Sequence, residues 1–166
     1  MKLGFCTDSH DRLENLRKAM LEFHRREVEA VIHCGDFVAP FTVDALKLAE
    51  CPVYGIYGNC DGERAGLKQR FRELQPPSAI FNEPHLFQFG NTTVAAMHHP
   101  DWLDAFARPE LADIVVYGHL HKLHIEHRPP WIINPGEVFG LKGEPTVVCF
   151  DTVLGKPEVI HLDKLP

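Results

Sequence analysis

Short apolar runs, each closed at once by glycine or by polar, metal-competent side chains, constrain this chain more than any other feature. Lys2 to Thr7 runs into Asp8 and His10, and Ala30 to Cys34 into Gly35-Asp36. Val53 to Tyr57 runs into Gly58-Asn59-Cys60-Asp61. Thr92 to Met97 runs into His98-His99, and Ile114 to Tyr117 into Gly118-His119-Leu120-His121. Apolar runs of this length bounded by turn signals read as buried strands. In α/β sheets, ligands collect outside the carboxyl ends of strands, where loops anchored by rigid elements hold functional groups with little reorganisation.

The segments between the early strands carry helical signals. Leu13, Leu16, Met20 and Phe23 mark an apolar stripe at helical spacing,. Asp11 with Glu14 three residues later predicts a capping box ahead of it,. Thr42 to Glu50 reads as a short helix stopped by Pro52, and Glu63 to Leu74 as a helix broken by Pro76-Pro77,. The opening is therefore β-α-β-α-β-α, the rhythm of a layered α/β domain with parallel strands. Beyond residue 77 strands dominate: Ile80 to Asn82, His85 to Phe89, Thr92 to Met97, Ile114 to Tyr117, Leu123 to His127 and Trp131 to Asn134. Trp102 to Ala107 reads as a short helix. Thr146 to Asp151 and Glu158 to Leu162 form an antiparallel pair around Leu154-Gly155. Both halves are satisfied by two packed mixed β-sheets flanked by helices. A length of 166 residues suits one domain spanning 1–166,.

Composition excludes several classes. Seventeen Lys+Arg against 23 Asp+Glu gives a net charge of −6. That balance argues against stable nucleic-acid binding, which needs clustered cations. No apolar stretch approaches the roughly 20 residues needed to span a membrane, and the amino terminus lacks the pattern of a signal peptide. Five cysteines without CxxC spacing suit a reduced, cytoplasmic chain,.

Histidine is unusually frequent, at 11 residues. Two aspartates, one asparagine and four histidines at successive strand ends make an N/O donor set. It suits Mn, Fe, Zn, Co or Ni better than Cu(I) or an iron–sulfur cluster. A carboxylate such as Asp36 is able to bridge two ions, and two ions about 3.5–4 Å apart clamp an in-line displacement at phosphorus.

Together DSH at 8–10, GD at 35–36, GNCD at 58–61, MHH at 97–99 and GHLH at 118–121 resemble the calcineurin-like metallophosphoesterase superfamily, in particular its small single-domain phosphodiesterases. NPG at 134–136 resembles a segment that follows the last metal motif in those proteins. The resemblance implies a four-layer α/β/β/α sandwich with the active site at one end of the sheets. It implies two divalent ions, manganese first, with iron, zinc, cobalt or nickel as alternatives. Asp8, His10 and His121 would bind one ion, and Asn59, His98 and His119 the other. Asp36 would bridge them, and a metal-activated water would attack a small phosphate ester. His98 suits the ligand position better than His99 because it follows the strand directly. Larger relatives carry histidine after the asparagine to protonate the leaving group. Cys60 stands there in this chain, which leaves Asp61 and His99 as candidate proton donors. Small relatives self-associate, so a homodimer is an expectation of the same resemblance.

The other histidines need no catalytic role, although His124 or His127 is placed to orient a ligand histidine from behind. His33 reads as a satisfied core histidine. Phe37, Phe139, Trp102 and Trp131 suit either the lining of a substrate cleft or the core, with core the default reading. The competing function is that of a scaffold on the same fold, as in the retromer subunit that resembles this family. All seven donor positions retain ligand-competent side chains, which favours an enzyme.

Overall fold

The computed structural model describes residues 1–165. Eleven strands form two sheets among these residues. The first comprises β1 (Lys2–Cys6), β2 (Ala30–His33), β3 (Val53–Ile56), β4 (Ala79–Phe81), β10 (Thr146–Asp151) and β11 (Lys156–His161). Strands β1 to β4 run parallel, and β10 and β11 close that sheet antiparallel beside β1. The second sheet has the order β5 (His85–Phe89), β6 (Thr92–Ala96), β7 (Ile114–Val116), β9 (Trp131–Pro135), β8 (Leu123–His127). Its centre, β6-β7-β9, is parallel and its edges are antiparallel.

Alternation along the strands divides the core into three layers. Leu3, Phe5, Ile32, Val148 and Phe150 of the first sheet meet Val94, Val116 and Ile133 of the second. On the outer face of the first sheet, Cys6, Val31, Val53 and Val147 pack beneath Leu16, Ala19, Met20 and Phe23 of helix α1 (Leu13–Arg25). Leu67 and Phe71 of helix α2 (Arg64–Arg72) join that layer. On the outer face of the second sheet, Ala95, Met97, Val115 and Ile132 meet Leu103 and Phe106 of the one-turn helix α3 (Leu103–Phe106). The result is the expected four-layer α/β/β/α sandwich. No helix is long and apolar enough to cross a membrane among the described residues.

Two local expectations change. Asp11 and Glu14 form no capping box: Arg12 precedes α1 without a side-chain cap. Asp11 has φ 58° and turns its carboxylate toward the next loop, where Oδ1 accepts from Ala39 N at 3.0 Å and Thr42 Oγ1 at 2.6 Å. It thereby caps the neighbouring segment. That segment, Pro40–Ala49, is 3-10 rather than α-helical and starts two residues before the predicted helix. Proline presets φ at a helix start, and Glu50 ends the segment at φ 53°.

Candidate metal centre

All seven predicted donors gather where the carboxyl ends of β1, β2, β3, β6 and β7 meet. Donor atoms of Asp8, His10 and His121 lie within 4.8 Å of one another, as do those of Asp8, Asp36 and His98. His98, His99 and His119 form another such group. Asn59 Oδ1 lies 2.8 Å from His98 Nε2 and 3.0 Å from His119 Nδ1. Asp36 stands between the two halves, with Oδ2 3.5 Å from His10 Nε2 and Oδ1 3.5 Å from His98 Nε2.

The backbone is bent to achieve this. Asp8, His10, Asp36, His119 and His121 have φ of 52°, 40°, 60°, 67° and 53°. Left-handed conformations cost a non-glycine residue about 1–3 kcal/mol and persist only where the surroundings over-determine them. Here cross-strand bonds do so: Asp8 N donates to Gly35 O and His10 N to Asp36 O, both at 3.0 Å. Glycine is required at 58, because a Cβ there would lie 2.2 Å from Asp36 Oδ1 and 2.5 Å from Asp36 N.

Outer hydrogen bonds fix the rings. His98 Nδ1 donates to Cys34 O at 2.8 Å, which leaves Nε2 facing the centre. His121 Nδ1 meets Glu137 Oε2 at 2.5 Å, which turns its Nε2 toward Asp8 Oδ1 at 3.3 Å. Glu137 is fully buried, and its Oε1 accepts from Lys142 N at 2.8 Å and from Gly143 N. Glu83 Oε2 accepts from His98 N at 2.6 Å and His99 N at 2.8 Å, while Oε1 meets His99 Nδ1 at 2.5 Å. Carboxylates behind ligand histidines fix tautomer and ring orientation. Neither glutamate is among the predicted site residues. Both follow strands, Glu83 after β4 and Glu137 after β9, so the strand-end pattern extended to acids finds them. His124 and His127 do not act from behind: His127 stacks on Trp131 at 3.9 Å, and His124 faces Glu126 at 3.7 Å.

Asp61 is placed differently from its expected proton-donor role. It is 3% exposed, and its oxygens accept from Asp36 N at 3.1 Å, Val38 N at 2.8 Å and Gly58 N at 2.7 Å. It braces the two turns that carry Asp36 and Asn59. His33 is a core histidine, with Nε2 3.0 Å from Ser9 Oγ and Nδ1 accepting from Gly35 N. Burial pushes its pKa down to about 3. Phe37 is core and stacks on His33 at 3.8 Å, whereas Phe139 leans on His10 at 5.1 Å and Trp102 is 42% exposed. Aromatic rings at 139 and 102 therefore depart from the core expectation.

The donors fit a divalent cation. Asp8 Oδ1 and His10 Nε2 are buried without a hydrogen-bond partner, a state that costs about 1–3 kcal/mol per group unless something binds there. Burial opposes charge on Asp8, but His10 and the Thr7 hydroxyl outweigh it and hold the carboxyl below its ordinary value. The Asp8 contact raises the pKa of His10. Burial, then the neighbours His98 and His99, lower that of His119 and so favour the neutral, ligating form.

This sandwich and its clustered Asp/His donors, together with the likenesses that follow, define a metal-dependent phosphoesterase. Residues 1–154 match the family model of the calcineurin-like phosphoesterase superfamily domain, and the chain belongs to that superfamily. It is 37% identical over 158 residues to phosphodiesterase MJ0936 of Methanocaldococcus jannaschii, covering 92% of this chain and 93% of that protein. A probable metallophosphoesterase, YsnB of Bacillus subtilis, is 26% identical over 139 residues, covering 83% of this chain and 75% of that one. The solved structure of a novel archaeal phosphodiesterase superposes with a TM-score of 0.90 at 34% identity, covering 97% of this chain and 99% of that chain.

Proposed function

We propose that the chain hydrolyses small phosphodiesters with two divalent cations, one held by Asp8, His10 and His121 and the other by Asn59, His98 and His119, with Asp36 shared. One observation carries this reading: from the second sheet, His121 Nε2 reaches within 3.3 Å of buried, unpartnered Asp8 Oδ1 and His98 Nε2 within 3.5 Å of Asp36 Oδ1, their Nδ1 atoms being engaged behind. Bound cations would offset charge on the phosphoryl oxygens and lower the pKa of a coordinated water. The chain's residues supply the positioning. Glu137 holds His121, Cys34 O holds His98, and Asp61 holds the Asp36 and Gly58 turns. Burial, then Asp36, push the Cys60 thiol up to about 11, which suits it poorly to protonate a leaving group at neutral pH. His99 is better suited to that proton transfer, since its Nδ1 is held by Glu83 and its side chain is 31% exposed beside His98 and His119. Protonated His99 gives its Nε2 proton to the departing oxygen and recovers one from water.

Manganese is the proposed native metal. One domain over residues 1–166, a cytoplasmic setting, a homodimer and no stable nucleic-acid binding complete the reading, supported by the shared core, free cysteines and net charge. The test is reconstitution with Mn, Fe, Zn, Co or Ni, followed by assay on p-nitrophenyl phosphodiesters, p-nitrophenyl phosphate and cyclic nucleotides. Diester hydrolysis should appear with two ions bound and vanish, with both ions, in Asp36→Ala. Two bound ions without turnover of any ester would overturn the proposal.

A further inference from the structure

Cys60 occupies an unusual place beside the centre. Its Sγ, His10 Nε2 and a carboxylate oxygen of Asp36 lie within 4.8 Å of one another. One further observation, at the edge this group shares with the Asp8 half, marks it as a cation position. His10 Nε2 is buried and has no hydrogen-bond partner, and Asp8 Oδ1, 3.8 Å from it, is likewise unpartnered on a residue that is 0% exposed. The thiol is the solvent-facing member of the group; the other four cysteines are buried. Its turn is fixed: Cys60 N donates to Asp36 Oδ1 at 2.8 Å, and Gly62 N donates to Cys60 O at 3.0 Å. The side chain is held by one weak bond, from Asn59 Nδ2 to Sγ at 3.3 Å.

Resting on the two-cation reading above, we propose that Cys60 is an additional metal ligand, giving this otherwise N/O centre one sulfur donor. With Asp36 shared, the Asp8 half already offers four donors, so Cys60 would be a fifth; zinc binds thiolate sulfur at about 2.3 Å and imidazole nitrogen at about 2.0–2.1 Å and expands to five-coordinate in some sites. Rotation of this exposed side chain about χ1 adjusts the Sγ position without moving the backbone. Binding exchanges the thiol proton for the metal and releases it to water. Thiolate is a soft donor, so it raises affinity for zinc and cobalt more than for manganese or magnesium. Cys60 thus shifts the affinity ratio toward zinc and cobalt relative to a purely N/O donor set.

The test uses the full chain, stripped of metal and reloaded with Co(II), its cobalt content measured. A thiolate-to-cobalt charge-transfer band should appear in the near ultraviolet and disappear in Cys60→Ser. Serine retains an acceptor for Asn59 Nδ2 and removes only the sulfur. Chelator competition on the same pair should show the zinc-to-manganese affinity ratio falling about 10- to 100-fold. Cys60→Ala serves as the second variant, with far-ultraviolet circular dichroism confirming its fold. A protein that binds two cobalt ions and hydrolyses diesters without the band refutes the sulfur ligand and leaves the two-cation reading standing. A band that persists in both variants, or an unchanged affinity ratio, also refutes it. A chain that binds no cobalt refutes both.

Discussion

Replacing Gly58 by alanine puts a methyl group where the structure has no room. The new Cβ would stand 2.2 Å from Asp36 Oδ1, 2.9 Å from its Cγ and 2.5 Å from its backbone N. Rotating the Asp36 side chain relieves the first two contacts and not the third. Separation to the 3.4 Å at which ordinary contact begins moves the carboxylate oxygen by about 1.2 Å and the backbone by about 0.9 Å. It also pulls on the bond from Gly58 N to Asp61 Oδ2, which is 2.7 Å long. Overpacking of this kind costs about 1–3 kcal/mol, which lowers Tm by about 2–12 °C for a chain of this size. A misplacement near 1 Å in a catalytic group costs about 100-fold in rate. With Asp36 shared as proposed, both ions should bind more weakly. Calorimetry on the metal-free chain reads the first effect, titration with manganese the second, and diester hydrolysis the third. Gly62→Ala is the control in the same loop, since a Cβ there meets nothing within 4 Å. Two manganese ions bound by Gly58→Ala as tightly as by the parent chain, with the same turnover, would refute the reasoning.

Glu137→Gln keeps the shape of a buried side chain but sets an amide hydrogen against either His121 Nδ1–H or the Lys142 and Gly143 amides. Metal affinity at the His121 half should fall about 10- to 100-fold by titration calorimetry; equal affinity would remove Glu137 from the orienting role. His99→Gln should slow alkyl diesters more than p-nitrophenyl diesters, by a differential of about 10²–10⁴, whereas Asp61→Asn should slow both classes equally through weaker metal loading. A leaving-group dependence confined to Asp61→Asn would reverse the two assignments. His33 is neutral in the fold because burial depresses its pKa to about 3. The unfolded chain, with a histidine pKa near 6.5, binds the extra proton between those values, so stability is lost as pH falls through that window, by up to about 1.4 kcal/mol per pH unit. Urea denaturation of metal-free His33→Gln should show a shallower acid slope than the parent; identical slopes would contradict the assignment.

Much of the centre is legible from the chain because each parallel strand is an apolar run with a sharp polar end. That boundary locates Asp8, Asp36, Asn59, His98 and His119 without knowledge of strand order. The bracing groups are less legible. Glu137 lies 16 residues from His121, and Glu83 lies 16 from His99, so only the packing of β4 and β9 brings them into place. Asp61 looks like a reactive acid because it neighbours one motif, yet three backbone amides from two loops occupy it. Asp11 is misread for a related reason. Its spacing to Glu14 is that of a helix cap, but the left-handed turns that aim Asp8 and His10 also swing Asp11 away from α1. Tertiary geometry at the centre overrides the local preference of the very next residue.

The donors of each half come from both sheets. Asp8 and His10 extend from β1 and meet His121 beyond β7; Asn59 extends from β3 and meets His98 and His119 beyond β6 and β7. A cation in either half would therefore be a staple across the seam between the sheets, added to their apolar contact and to the bonds from His98 Nδ1 to Cys34 O and from His119 N to Asp8 Oδ2. Occupancy becomes mechanical as well as chemical. At a metal concentration a hundredfold above Kd, each staple adds about 2.7 kcal/mol against unfolding, and a chelator loosens the catalytic edge of the sandwich as it stops the reaction.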